Sequence, residues 1–109
     1  MKYRIAVYGS LKKNNYNHEL LGDCEFIDEE TIEGWRMFDL GSYPCVVRGR
    51  GNIKVEIYSI SENIMQQIHS MESYAGYKMD RIVTDYGMCM MWSYQNIPKN
   101  HKEVIGGNW

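Results

Sequence analysis

Two short segments of this 109-residue sequence hold residues that could act on a small molecule. The first is Val7-Tyr8-Gly9-Ser10-Leu11, where an alternating stretch from Tyr3 to Tyr8 reads as a strand and stops at a glycine. A strand that runs into such a loop presents consecutive backbone N–H groups, a concavity suited to a carboxylate or a phosphate. The second is Glu72, which follows Met71, the last apolar position of a stripe formed by Ile64, Met65, Ile68 and Met71. A carboxyl group at the edge of a buried helix face, with Tyr74 and Tyr77 close by, would be desolvated. Its pKa would then rise toward neutrality, where it can take or give a proton. Each segment also has a plainer reading. Gly9 would simply turn the chain, and Glu72 would be a solvated helix-end residue, a place where the helix dipole disfavours an anion.

The remaining reactive residue types are scattered. Cys24, Cys45 and Cys89 are an odd number, far apart and without a CxxC pair, which points to a reducing, cytoplasmic setting. His18, His69 and His101 are equally dispersed, so no zinc-type spacing arises and no metal or other cofactor is expected. Twelve Lys+Arg against fourteen Asp+Glu argue against nucleic acid as a partner, and basic residues do not interleave with the aromatics as base stacking would require. No 18-residue apolar run or leader-like N-terminus is present, so neither a membrane span nor a signal peptide is expected. Nine tyrosines and three tryptophans fit a tyrosine-lined pocket or a tyrosine-rich core. The eight methionines, Met88, Met90 and Met91 among them, read as core filler.

The elements that must position these residues are short. After the first strand, Asn17 could cap a short helix through Leu21, ended by Gly22. Thr31 to Leu40 reads as a strand broken at Gly34, Gly41 to Pro44 as a turn, and Ser42 to Val47 as extended again. Ile53 to Ile60 alternates with Val55 and Ile57 on one face. Ser61 is placed to cap the amphipathic helix. Two last strands, Tyr77 to Thr84 and Met88 to Tyr94, meet through Asp85-Tyr86-Gly87. Trp109, ending the tail, should dock on the body. Residues 1–109 are thus expected to form a single α+β domain.

Taken in order, these segments resemble the gamma-glutamylcyclotransferase-like family. The resemblance runs through Tyr8-Gly9-Ser10-Leu11, then Tyr43-Pro44-Cys45-Val46-Val47, then Ile53-Lys54-Val55-Glu56-Ile57-Tyr58. It continues with a helix ending in Glu72, followed by Tyr77 and Arg81, and closes with Trp92-Ser93-Tyr94 and Val104 to Trp109. Val55, Ser73 and Asn108 depart from the pattern, standing where Gly, Gly and Asp are usual.

The resemblance implies a small, curled five-stranded β-barrel with one main helix and a short extra one. It also implies a small-molecule partner, a gamma-glutamyl amine, amide or peptide, which cyclises to release 5-oxoproline and a free amine. Glu72 would act as base and then acid, with no cofactor. The N–H groups of Gly9, Ser10 and Leu11 would hold the substrate carboxylate, and Tyr8, Tyr77 and Tyr94 would line the pocket. Arg81 would be a substrate contact or a structural ion-pair partner. The three departures motivate an alternative: a non-catalytic module on the same fold, binding a small carboxylate or a partner protein. A third reading is hydrolysis of a small amide. The leaving group and the oligomeric state stay open at this level.

Overall fold

The computed structural model describes residues 2–109. Five strands and one α-helix follow in the order β1 (Lys2–Val7), β2 (Glu25–Asp39), β3 (Pro44–Ser61), α1 (Glu62–Tyr74), β4 (Lys78–Thr84) and β5 (Gly87–Ser93). They make one mixed sheet in the order β2-β3-β1-β5-β4. Three neighbouring pairs are antiparallel, and β1 with β5 is parallel, joined at Ile5 and Met90. The result is the expected α+β class, a curled half-barrel with the helix against one side.

The long β2–β3 ribbon carries two register shifts, between Phe26 and Asp28 and between Glu33 and Trp35. Such bulges bend and twist a strand, and that bending lets a 15-residue and an 18-residue strand curl. The open seam is stitched by side chains. Asp85 N–H donates to Glu30 (3.0 Å), the Tyr86 hydroxyl donates to Asp28, and Arg48 pairs with Asp80 (3.2 Å).

Both faces of β1 are covered. Ile5 and Val7 belong to one apolar cluster with Tyr58, Ile60, Ile68 and Trp92, on which Ile64, Met65 and Met71 of α1 pack. Ala6 and Tyr8 belong to a second cluster with Trp35, Val55, Ile57 and Met91. Trp109 docks on this second cluster, and the tail is tied down where Lys54 N–H donates to the Gly107 carbonyl (2.8 Å).

Several expectations shift. Arg48 to Asn52 does not separate two extended pieces but lies inside the continuous β3, and β2 begins at Glu25 rather than Thr31. The short helix is a 3₁₀ turn, His18–Leu21. Asn17 does not cap it with its side chain, because its amide is engaged by Ser10. Ser61 does cap α1, its hydroxyl accepting from Ile64 N–H at 3.3 Å. Of the three β5 methionines, Met91 is core, Met90 is half-buried and Met88 is 57% exposed. Alternation along β5 sends Met88 outward while Cys89 and Met91 point in.

Candidate active site

The first strand ends at Val7, and the chain turns over the sheet's end through Tyr8 to Leu11. The carbonyls of Gly9, Ser10 and Leu11 are engaged. Gly9 O accepts from Lys12 N–H (3.0 Å) and the Asn15 amide (2.7 Å), and Ser10 O accepts from Asn17 N–H (2.9 Å). Leu11 O faces His18 Nδ1 at 2.8 Å, and the Asn17 side chain donates to Ser10 Oγ at 3.0 Å. The N–H groups of Gly9, Ser10 and Leu11, by contrast, meet no acceptor among the described residues. A loop with its carbonyls turned into the protein and its amides free is a cradle for an anion. Gly9 is held to glycine by a close approach: a Cβ there would sit 2.7 Å from Cδ of Pro44.

Glu72 comes to the same place from the other side. Helix α1 ends in a turn in which Tyr77 N–H donates to Glu72 O (2.9 Å) and Gly76 N–H to Ser73 O (3.1 Å), with Gly76 at φ +94°. This is the Schellman arrangement, and it needs a left-handed residue at the position Gly76 occupies. The motif fixes Glu72 and Tyr77 relative to each other, which brings both to one cavity of about 190 Å³.

The cavity has a buried inner part and an open rim. Tyr8, Leu11, Tyr77 and Trp92 form the buried part, with Gly9 and Ser10 beside them. Glu72 is half-buried against it. Burial pushes the Glu72 carboxyl from its ordinary 4.5 up to about 7, and no ion pair or hydrogen bond among the described residues offsets it. A group poised there can exchange protons at neutral pH in either direction.

The tyrosines take distinct places. Tyr8 donates its hydroxyl proton to the Trp92 carbonyl (2.7 Å), and Tyr77 donates to the Pro44 carbonyl (2.7 Å). Burial raises both hydroxyls well above their ordinary value, and neighbouring Glu72 raises them further. With their protons committed to backbone carbonyls, both rings shape the wall and remain hydrogen-bond acceptors. Tyr94 stands behind Tyr77, ring centroids 4.7 Å apart, rather than on the cavity wall. Arg81 lies exposed on β4, opposite Met90, on a separate groove with Lys2 and Arg4. Among the described residues it forms no ion pair, and it does not line the cavity.

Sequence reasoning missed Tyr16, Asn17 and Tyr43 as lining residues, and Trp92 as part of the inner wall. Tyr43 and Trp92 lay inside the segments that carried the resemblance, so their position was the available signal. Tyr16 and Asn17 had none, because a polar loop gives no indication that it folds back over its own start. Among the described residues no group of three His, Cys, Asp or Glu side chains converges as a metal site would require, and no helix is long and apolar enough to cross a membrane.

Comparison with known proteins finds relatives of the same fold over nearly the whole chain. The chain is 31% identical over 106 residues to the Pyrococcus horikoshii protein PH0828, covering 97% of this chain and 90% of that one. The crystal structure of PH0828 matches with a TM-score of 0.88 over 97% of this chain and 88% of that chain. The Escherichia coli gamma-glutamylcyclotransferase family protein YtfP is 29% identical over 107 residues, 97% of this chain and 95% of that protein. Its solution structure matches with a TM-score of 0.81, over 97% of this chain and 95% of that chain. A mouse AIG2-like protein shares the fold at 19% identity, with a TM-score of 0.76 over 90% of this chain and 80% of that chain. Residues 5–109 match the family profile described as gamma-glutamyl cyclotransferase, AIG2-like, and the chain belongs to that family.

Proposed function

We propose that this protein cyclises a gamma-glutamyl amine, amide or peptide, releasing 5-oxoproline and the free amine. The observation that carries this reading is that a half-buried carboxyl with a pKa near 7 and a row of free backbone N–H groups line one small cavity. About 190 Å³ lies below the usual range for drug-sized ligands, and it suits the glutamyl unit alone, with the rest of the substrate beyond the rim.

The N–H groups of Gly9, Ser10 and Leu11 hold the alpha-carboxylate of the substrate. That anchor folds the chain so that the alpha-amine faces the gamma-carbonyl, a near-attack arrangement of two groups already in one molecule. Glu72, as carboxylate, takes a proton from the alpha-ammonium. The freed amine attacks the gamma-carbon and closes a five-membered ring. As the bond to the leaving nitrogen breaks, Glu72 returns its proton to that nitrogen, the ring nitrogen gives up its second proton to solvent or to the departing amine, and 5-oxoproline and the amine leave. One carboxyl serves both steps because its pKa lies near the working pH.

The test is incubation with a panel of gamma-glutamyl amides, with products separated by chromatography. The lactam is expected, with Glu72→Gln losing about 10²–10⁴ in rate while still binding substrate. Glutamate in place of lactam would mean that water is the nucleophile. Binding without any product would favour the non-catalytic carboxylate-binding module.

A further inference from the structure

The outer part of the cavity is apolar and aromatic, as the inner part is, but more open to solvent. Its rim carries the rings of Tyr16 and Tyr43, which are 62% and 38% exposed, together with Met71 and Ala75. Glu72 is the single charged side chain among the described residues that line the cavity. Lys12, which follows the cradle directly, turns its ammonium to Asn108 Oδ1 at 3.0 Å, toward the tail.

We infer that the amine this site releases carries no carboxylate of its own and presents an apolar, aromatic-compatible body to the Tyr16–Tyr43 rim. This rests on the cyclisation reading and narrows its substrate class. The glutamyl carboxylate occupies the Gly9–Leu11 row of free amides, the one such cluster among the described residues that line the cavity. A leaving group derived from an amino acid would bring a second carboxylate to a rim of aromatic rings, thioether and methyl, next to Glu72. It would find no counter-charge there and would meet a like charge whenever Glu72 is ionised. An arylalkyl amine instead stacks on exposed tyrosine rings and contacts the methionine sulfur, both favourable without charge.

Two probes that differ in one group decide it: gamma-glutamyl-phenethylamide and gamma-glutamyl-phenylalanine, which share everything but the leaving group's carboxylate. The expected kcat/KM of the wild-type protein is at least tenfold higher for the phenethylamide. Tyr16→Arg places a cation on the exposed rim and should narrow that ratio several-fold by raising turnover of the phenylalanine compound. Equal or reversed preference in the wild type overturns the inference, as does a ratio that Tyr16→Arg leaves unchanged in a folded variant. If neither compound turns over while another gamma-glutamyl amide of the panel does, the inference is overturned and cyclisation stands; if none of the panel turns over, the cyclisation reading falls. The inference is then read from calorimetric Kd values of the wild-type protein, where the same tenfold preference supports it. Equal affinity, or no binding of either, overturns it.

Discussion

Glu56 Oε1 accepts a hydrogen bond from the backbone N–H of Lys13 at 2.8 Å, joining the middle of β3 to the loop that carries the anion cradle. Glu56 is buried, and the same oxygen also accepts from the Tyr58 hydroxyl at 2.9 Å. The loop's near end is fixed by β1 and its far end by the 3₁₀ turn, with the Glu56 bond as a third anchor between them. Hydrogen bonds to an ionised acceptor are about twice as strong as neutral ones, so this carboxylate is suited to holding a loop still.

Glu56→Ala should therefore act on both stability and substrate binding. It removes the acceptor from a buried tyrosine hydroxyl and a loop amide, a loss of about 1–3 kcal/mol. It should also raise KM for a gamma-glutamyl amide more than it lowers kcat, because the cradle binds the carboxylate while Glu72 does the proton transfer. Glu56→Gln keeps an oxygen acceptor of the same reach and should recover most of both effects. Urea unfolding and steady-state kinetics on the two variants check this. Equal KM values for Glu56→Ala and wild type would show that the anchor does not reach the cradle.

Gly9→Ala probes the cradle from the other side. The added Cβ would lie 2.7 Å from Cδ and 2.8 Å from Cγ of Pro44, both in a rigid ring. Since the proline cannot rotate away, the loop must shift, at a cost of about 1–3 kcal/mol for overpacking. Turnover should fall by at least tenfold with the chain still folded, read by circular dichroism alongside the assay.

Much of the fold was legible in the sequence. Ser61 and the Ile64–Met71 stripe specify α1 locally, through a cap and a helical period, and the alternation around β1 and β5 marks strands that pair with neighbours on both sides. The continuous β3 was not legible. Arg48-Gly49-Arg50-Gly51-Asn52 has little strand propensity of its own, and it is extended because β2 offers Glu33 and Trp35 as partners for Asn52 and Arg48. The cavity divides in the same way. Tyr8 to Leu11 and Glu72 stand at element ends, which local pattern can find. Tyr94 lies one residue past the end of β5, half-buried, with its ring against that of Tyr77 rather than in the cavity, a difference decided by how Tyr77 packs.

The thiols should react in an order set by burial. Cys45 is fully buried, and burial pushes its thiol from 9.0 up to about 11. Cys89 is also buried, with its thiol raised, while Cys24 is half-exposed on the edge of the first apolar cluster. Since the thiolate is the reacting form, iodoacetamide at pH 8 should label Cys24 first, with Cys45 and Cys89 protected until the protein unfolds. Mass spectrometry of timed digests reads the order directly.

The raised pKa of Glu72 links activity and stability to pH in opposite directions. The carboxylate is the base that starts cyclisation, so kcat/KM should rise with pH through about 7 and then level, rather than rising near 4.5. Stability runs the other way. The folded protein holds this proton up to about pH 7, whereas the unfolded chain releases it near 4.5. Between those values the native state binds more protons, so its stability falls as pH rises, by about 3 kcal/mol for this one group. Below pH 4.5 the contribution is fully present, and above pH 7 it is gone. Glu72→Gln removes the titration and keeps a neutral side chain in the cavity. At pH 8 it should be more stable than wild type by that order, at pH 4.5 about equal, and inactive at both. Guanidinium unfolding at the two pH values gives the comparison. A variant no more stable than wild type at pH 8 would show that the carboxyl is hydrated in the native state, and the acidic limb of the rate profile would then lie near 4.5 as well.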